Sequence, residues 1–296
     1  MVELNPNQEP TDERRIVSAS GIAIPRLLYG SAWKKERTAE LVELALRSGF
    51  RGVDTACQPR HYHEPGVGEA LSAIFSSGLA ARSEIYVQTK FTPFAGQDPS
   101  KVPYDPRASL TQQVLQSFEA SLRNLRVSQV DGLVLHSPYP DDKDTFEVWR
   151  AMEGLYDQGV VRQLGVSNCY ELTRLDALCQ KARIRPATIQ NRFHAKSHYD
   201  REIRAFCDGC GIIYQSFWTL TANVEILKSS EMTDLAKEYG RSPAQIFFRY
   251  LTQRDIVCLT GTSSTTHMAQ DLSIFEFRLS SAACETLDAL LLRSAP

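Results

Sequence analysis

Residues 130–167 read VDGLVLHSPYPDDKDTFEVWRAMEGLYDQGVVRQLGVS, and this stretch decides the fold. Val130–His136 is a short apolar run entered through Asp131 and Gly132, the pattern of a buried strand. Thr145–Gln158 repeats apolar residues at Trp149, Met152 and Tyr156, one face of a helix, and stops at Gly159. Val160–Ser167 is apolar again. Strand, helix and strand in this order predict two parallel strands with the helix packed across them.

The same unit recurs on both sides. Apolar runs stand at Arg26–Gly30, Phe50–Asp54, Glu84–Thr89, Ala187–Gln190, Gly211–Phe217 and Asp255–Thr260, which with the first two makes eight. Helical patterns lie between them. Thr38–Ser48 carries Leu41, Leu44 and Ala45 on one face and stops at Gly49, a C′ residue suited to the left-handed conformation. Leu110–Leu125 repeats Leu110, Val114, Phe118, Leu122 and Leu125, and Ser242-Pro243 opens a later helix with an N-cap and a proline at its first position. Eight strand–helix units favour closure into a (β/α)8 barrel over an open doubly wound sheet. Two stretches exceed the unit: a long Pro-rich connection, Phe91–Ala108, and an extra C-terminal helix, Ser280–Leu292.

Composition sets the boundaries of function. The chain has 296 residues, 43% hydrophobic and 23% charged, with a net charge of −2. Such a chain can bury a core without disulfides or metals. Lys and Arg are scattered, with no basic stripe for nucleic acid or an anionic membrane surface. No 18-residue apolar stretch predicts a membrane span, and the polar start carries no secretory signal. Seven cysteines, an odd number, suit free thiols in the cytoplasm. Cys207 and Cys210 form a CxxC, but at the end of the helical stretch Asp200–Cys210 and before a strand, the reverse of a thioredoxin-type redox motif; two buried, inert thiols are expected.

Active sites of such barrels form at the carboxyl ends of the strands. Here those ends carry Asp54, Lys90, His136, Ser167-Asn168 and Gln190-Asn191. An acid, an amine, an imidazole and several amides therefore converge on one face. Tyr62 follows Asp54 in the loop His61-Tyr62-His63-Glu64. A buried Asp–Lys pair beside that phenol would favour tyrosinate and draw its pKa toward neutral, making it a usable general acid. Trp33, Phe91, Tyr139 and Trp218 lie just past strand ends and are candidates for an apolar substrate pocket. His61, His63, Glu64 and the pair His194 and His198 lack a catalytic zinc spacing, so no metal is expected, and Gly66-Val67-Gly68 fails the dinucleotide fingerprint.

With these residues in place, the chain resembles the aldo-keto reductases over nearly its whole length. The resemblance rests on Phe50-Arg51-Gly52-Val53-Asp54-Thr55-Ala56, Val67-Gly68, Thr89-Lys90 and Leu133-Val134-Leu135-His136-Ser137-Pro138. It continues through Met152-Glu153-Gly154-Leu155, Leu164-Gly165-Val166-Ser167-Asn168, Ile189-Gln190, Ser242-Pro243-Ala244-Gln245 and Phe275-Glu276-Phe277-Arg278-Leu279-Ser280. It implies one barrel domain over 1–296 with an N-terminal β-hairpin, 1–14 being a flexible segment. The implied activity is reduction of an aldehyde or ketone with hydride from NADPH, NADH being the other candidate, by a monomer. The implied tetrad is Asp54, Tyr62, Lys90 and His136. Ser167, Asn168 and Gln190 would hold the nicotinamide carboxamide and Phe217 its ring, with Gly30, Ser31 and Leu220 along the cofactor.

Three departures from the family stand out. The spacing from Asp54 to Tyr62 is longer by three residues, and counting back from Val67-Gly68 would put His61 near the tyrosine position. No long C-terminal substrate loop is expected after the last helix, which should leave an open pocket. The positions that usually offer Lys-Ser, Arg and Asn to the adenosine 2′-phosphate and the adenine hold Gly261, Thr262, His267 and Asp271. With two permanent cations gone and a carboxylate added, the preference for NADPH should weaken, and NADPH should bind more tightly below about pH 6.5 as His267 protonates. Two other function classes stay open: a cofactor-binding regulator without turnover, and a lyase using Tyr62 and Lys90 for proton transfer.

Overall fold

The computed structural model describes residues 12–295. Eight parallel strands close into a barrel in sequence order: β3 (Leu27–Gly30), β4 (Gly52–Asp54), β5 (Tyr86–Phe91), β6 (Gly132–Leu135), β7 (Leu164–Ser167), β8 (Thr188–Arg192), β9 (Ile213–Phe217) and β10 (Val257–Thr260), which pairs back with β3. All eight expected strands are present, and the doubly wound alternative is excluded. The boundaries of β7 and β8 shift: β7 starts at Leu164 because Val161 makes only an isolated bridge to Val130. Strand β8 runs past Gln190 to Arg192, paired with Phe217 of β9.

Two short antiparallel strands, β1 (Arg15–Val17) and β2 (Ala23–Pro25), precede the barrel as the expected hairpin. Ile22 and Ile24 from this hairpin join Leu28, Tyr86, Ile213 and Val257 in a buried cluster that closes the barrel floor. Of the segment 1–14, residues 1–11 lie outside the described residues. Glu13, inside them, is held by Arg249 at 2.7 Å and Arg278 at 3.1 Å, so the tethered chain begins earlier than expected.

The main core fills the space between barrel and helices. Helices Thr38–Ser48 and Leu110–Leu125 have the expected bounds, and Gly49 caps the first with φ of 118°. The Val67-Gly68 motif has a packing reason. A β-carbon at Gly68 would stand 2.0 Å from the carbonyl oxygen of Asn124, so only glycine lets helix Glu64–Ser76 touch its neighbour. The last helix, Ser281–Ser294, packs outside the barrel as expected. Cys207 is buried, but Cys210 is exposed on the final turn of helix Arg201–Cys210, which corrects the expectation of two buried thiols. No helix among the described residues is long and apolar enough to cross a membrane.

Candidate active site

Side chains alternate along a strand, so Tyr86, Gln88 and Lys90 of β5 share the inner face of the barrel. Lys90 is 1% exposed and its Nζ lies 2.5 Å from Oδ2 of Asp54, itself 2% exposed. Two charges removed from water are tolerated only when hydrogen bonds complete them. Here they do. Lys90 also donates to the Thr55 carbonyl at 2.8 Å, while Oδ1 of Asp54 accepts from Gln88 at 2.7 Å and from Gln190 at 2.9 Å. Burial pulls the Lys90 ammonium down, but Asp54 and Tyr62 outweigh it and hold the group above its usual range.

A hydrogen-bonded line runs from this pair to the barrel floor. Gln88 is shared with Gln215 and with the Tyr86 hydroxyl; Gln163 donates to that hydroxyl, and Ser18 of the hairpin turn donates to Gln163.

Tyr62 is half-buried, with Lys90 Nζ 5.2 Å from its ring centroid and the His136 ring 6.0 Å away, edge-on. The added residues after Asp54 are absorbed by a turn in which Gln58 O accepts from the backbone N–H groups of His61 and Tyr62. On that turn His61 is half-buried, its ring 4.0 Å from that of Trp33 and tilted by 35° against it. Tyr62, not His61, stands beside Lys90. Burial pushes the phenol above its usual pKa; Lys90 opposes this through charge and a side-chain hydrogen bond, and Asp54 adds to it. The expectation of a near-neutral phenol is therefore not met, because desolvation outweighs the ammonium.

His136 is held at a pKa of about 3 by burial and by the positive charge of Lys90, with His61 adding to the effect. The imidazole is neutral at ordinary pH. Its Nδ1 lies 2.7 Å from the Thr92 hydroxyl, and its backbone carbonyl accepts from Asn168 at 2.9 Å.

Ser167, Asn168 and Gln190 form one group. Asn168 Nδ2 reaches Ser167 Oγ at 3.2 Å, and Ser167 donates to the Gln190 carbonyl at 2.6 Å. Both side-chain N–H groups of Gln190 point inward, to Asp54 and to Gln215. Its Oε1 has no partner among the described residues, which leaves an acceptor for an amide N–H. Phe217 ends β9 with its face half-buried, and the Arg192 guanidinium lies 6.0 Å from that ring and 4.2 Å from Trp218. Leu220 is half-buried just beyond.

At the other edge of the rim, Gly30 ends β3 and Ser31 donates to the Asp54 carbonyl at 3.0 Å. Gly261 and His267 are exposed, and the Thr262 carbonyl accepts from Tyr29 at 3.0 Å. Asp271 is not turned toward a ligand. It is 4% exposed, accepts from Thr260 at 2.8 Å, and burial pushes its carboxyl up to about 6. Of the four pocket candidates, Trp33 and Trp218 are exposed at 58% and 48%. Phe91 is not in the pocket: odd positions of β5 face the helices, and Phe91 packs on Tyr104 in the outer core. Tyr139 packs against the same core, with a buried hydroxyl that has no partner among the described residues.

Several residues at the site escaped the sequence reading. Lys34 lies off any strand end, yet its ammonium donates to the Gly261 carbonyl, 3.3 Å from where a β-carbon at 261 would stand. Thr92 lies two residues past Lys90, on the same face. Gln88 and Gln215 sit mid-strand, and period-two alternation with Lys90 and Phe217 was the signal that could have found them.

The sequence model of the Aldo/keto reductase family matches residues 28–222 and 220–292. A glyoxal reductase of Bacillus subtilis is 31% identical over 85% of this chain and 82% of its own. An aldo/keto reductase of Brucella melitensis superposes with a TM-score of 0.79 at 26% identity, covering 93% of this chain and 98% of that one. An aldo-keto reductase solved in complex with NADPH shares the fold, with a TM-score of 0.79 at 22% identity over 95% of this chain and 87% of its own. The chain belongs to the aldo/keto reductase family, enzymes that reduce carbonyl groups with NAD(P)H.

Proposed function

We propose that this enzyme reduces a small aldehyde or ketone with Tyr62 as the proton donor. The carrying observation is the contact of Tyr62 with the buried Lys90–Asp54 pair, next to a neutral His136. The nicotinamide, when bound, supplies a hydride to the carbonyl carbon. The oxygen then gains negative charge and needs a proton from a group still protonated at neutral pH. A phenol pushed upward by burial meets that need, and the Lys90 ammonium stabilises the phenolate left behind. Asp54 keeps Lys90 charged. His136, neutral, takes the carbonyl oxygen by a hydrogen bond without competing as an acid.

The residues present fit a nicotinamide. The free Oε1 of Gln190 suits the carboxamide N–H, with Ser167 and Asn168 beside it, and Phe217 offers an aromatic face. Lys34 supplies a cation at the strand-end rim, where barrels of this kind bind phosphate. It offsets part of the loss at Gly261, so NADPH is the favoured cofactor and NADH a usable one. Thr262, His267 and the N-terminus of helix Thr265–Leu272 add donors.

The test is Tyr62→Phe, with turnover of a reactive aldehyde and cofactor affinity both measured. Turnover should fall by about 10²–10⁴ with cofactor affinity nearly unchanged. Wild-type turnover in this variant, with loss in His61→Ala, would move the role to His61.

A further inference from the structure

His136 is also touched by Thr92, which takes no part in the reaction above. It follows Lys90 by two residues and is 3% exposed. Its Oγ1 lies 2.7 Å from Nδ1 of His136. Its backbone is held as well: the Thr92 carbonyl accepts from the Tyr104 hydroxyl at 2.8 Å and from Gln97 Nε2 at 3.3 Å. We infer that Thr92 is a positioning residue that fixes the tautomer of His136, so that Nε2 carries the proton and faces the reacting carbonyl. This rests on the reading of His136 as the group that meets the carbonyl oxygen.

A neutral imidazole has one N–H, and which nitrogen carries it is set by the partner of the other. Two arrangements satisfy the 2.7 Å contact. If Nδ1–H donated to Oγ1, the threonine proton would need an acceptor of its own. Among the described residues Oγ1 has no partner but His136, and the nearby Thr92 carbonyl already accepts twice. A buried hydroxyl proton without an acceptor is disfavoured. The hydroxyl therefore donates to Nδ1, and the ring's proton lies on Nε2. The consequence at the site is a matter of sign. Nε2–H attracts the carbonyl oxygen, most strongly as it gains charge. A lone pair on Nε2 would repel that oxygen and would accept the Tyr62 proton in its place.

The variant Thr92→Val keeps the shape of the side chain and removes the donor. Thr92→Ser keeps the donor and loses a methyl group. Nitrogen-15 spectra of labelled histidine in the protein without ligand, assigned with His136→Asn, should show His136 as the pure Nε2–H form in the wild type and in Thr92→Ser. Thr92→Val should show a mixture. With an aldehyde, kcat/KM should fall roughly 10–100-fold in Thr92→Val, mostly in kcat, and recover in Thr92→Ser. Cofactor affinity and thermal unfolding report whether Thr92→Val is folded. A wild-type spectrum with the proton on Nδ1, or a Thr92→Val spectrum equal to that of the wild type, overturns the inference. The spectra need no turnover, so they stand even if Tyr62 fails as the acid.

Discussion

Lys34 and Gly261 come from opposite ends of the chain, yet the ammonium of the first donates to the carbonyl of the second across the β3–β10 seam. On the proposed reading, this ammonium stands in for the cation that position 261 lacks. Replacing Lys34 by Met should weaken NADPH binding about tenfold or more, the weight of one hydrogen bond to a charged group. NADH, which lacks the 2′-phosphate, should lose less than about threefold. Titration of tryptophan fluorescence with each cofactor checks this. Equal losses for both would place Lys34 away from the phosphate.

Asp271 gives the stability of the fold a pH dependence. Its folded-state pKa of about 6 lies above its ordinary value of 3.8, so the folded chain binds this proton more tightly than the unfolded one. Its contribution is favourable below the ordinary value and is lost as pH rises through about 6. At about 1.4 kcal/mol per tenfold in proton affinity, the effect is on the order of 2–3 kcal/mol. Asp271→Asn keeps an acceptor for Thr260 and removes the charge. Its melting temperature should exceed that of the wild type at pH 8 and match it at pH 4.

Gln88 and Gln215 should behave as one unit. Gln88→Leu removes an amide from Asp54 and leaves the Tyr86 hydroxyl and Gln215 short of partners, at about 1–3 kcal/mol for each group left unsatisfied. Urea unfolding of both single variants and of Gln88→Leu/Gln215→Leu gives the coupling. The double variant should be less destabilised than the sum of the singles. Strict additivity would show that the two amides do not share an energetic network.

Cys210 should be the thiol that reagents reach first. Among the seven cysteines it alone is exposed. Brief alkylation of the native protein should modify one thiol per chain, mapped by mass spectrometry to Cys210, with turnover unchanged. Labelling of Cys207 at the same rate would mean that helix Arg201–Cys210 opens readily.

The barrel was legible because its signals are local: eight apolar runs, the helix faces between them, and the Gly49 and Ser242-Pro243 boundaries. The strand-end residues Asp54, Lys90 and His136 were legible for the same reason, since position on a strand fixes the end they occupy. What escaped depends on facing direction and long-range approach. Phe91 adjoins Lys90 in sequence, and one residue's difference turns it to the outer core. The phenol of Tyr62 was expected near neutral from its charged neighbours; its burial, a property of the whole loop, outweighs them. Asp271 was counted as a charge facing the cofactor, but its helix turns it inward to Thr260. Lys34 was invisible because nothing in its own loop points to Gly261.

Strand β8 continues to Arg192, and that small extension bears on how a ligand arrives. Arg192 and Lys34 both stand at the barrel mouth, and neither forms a salt bridge among the described residues. The chain as a whole is slightly acidic, with a net charge of −2 that includes these two cations. On the proposed reading, these two cations, and not the net charge of the chain, draw a polyanionic dinucleotide to the opening. The rate of encounter should then fall with rising ionic strength, while the dissociation of a seated ligand should depend on it much less.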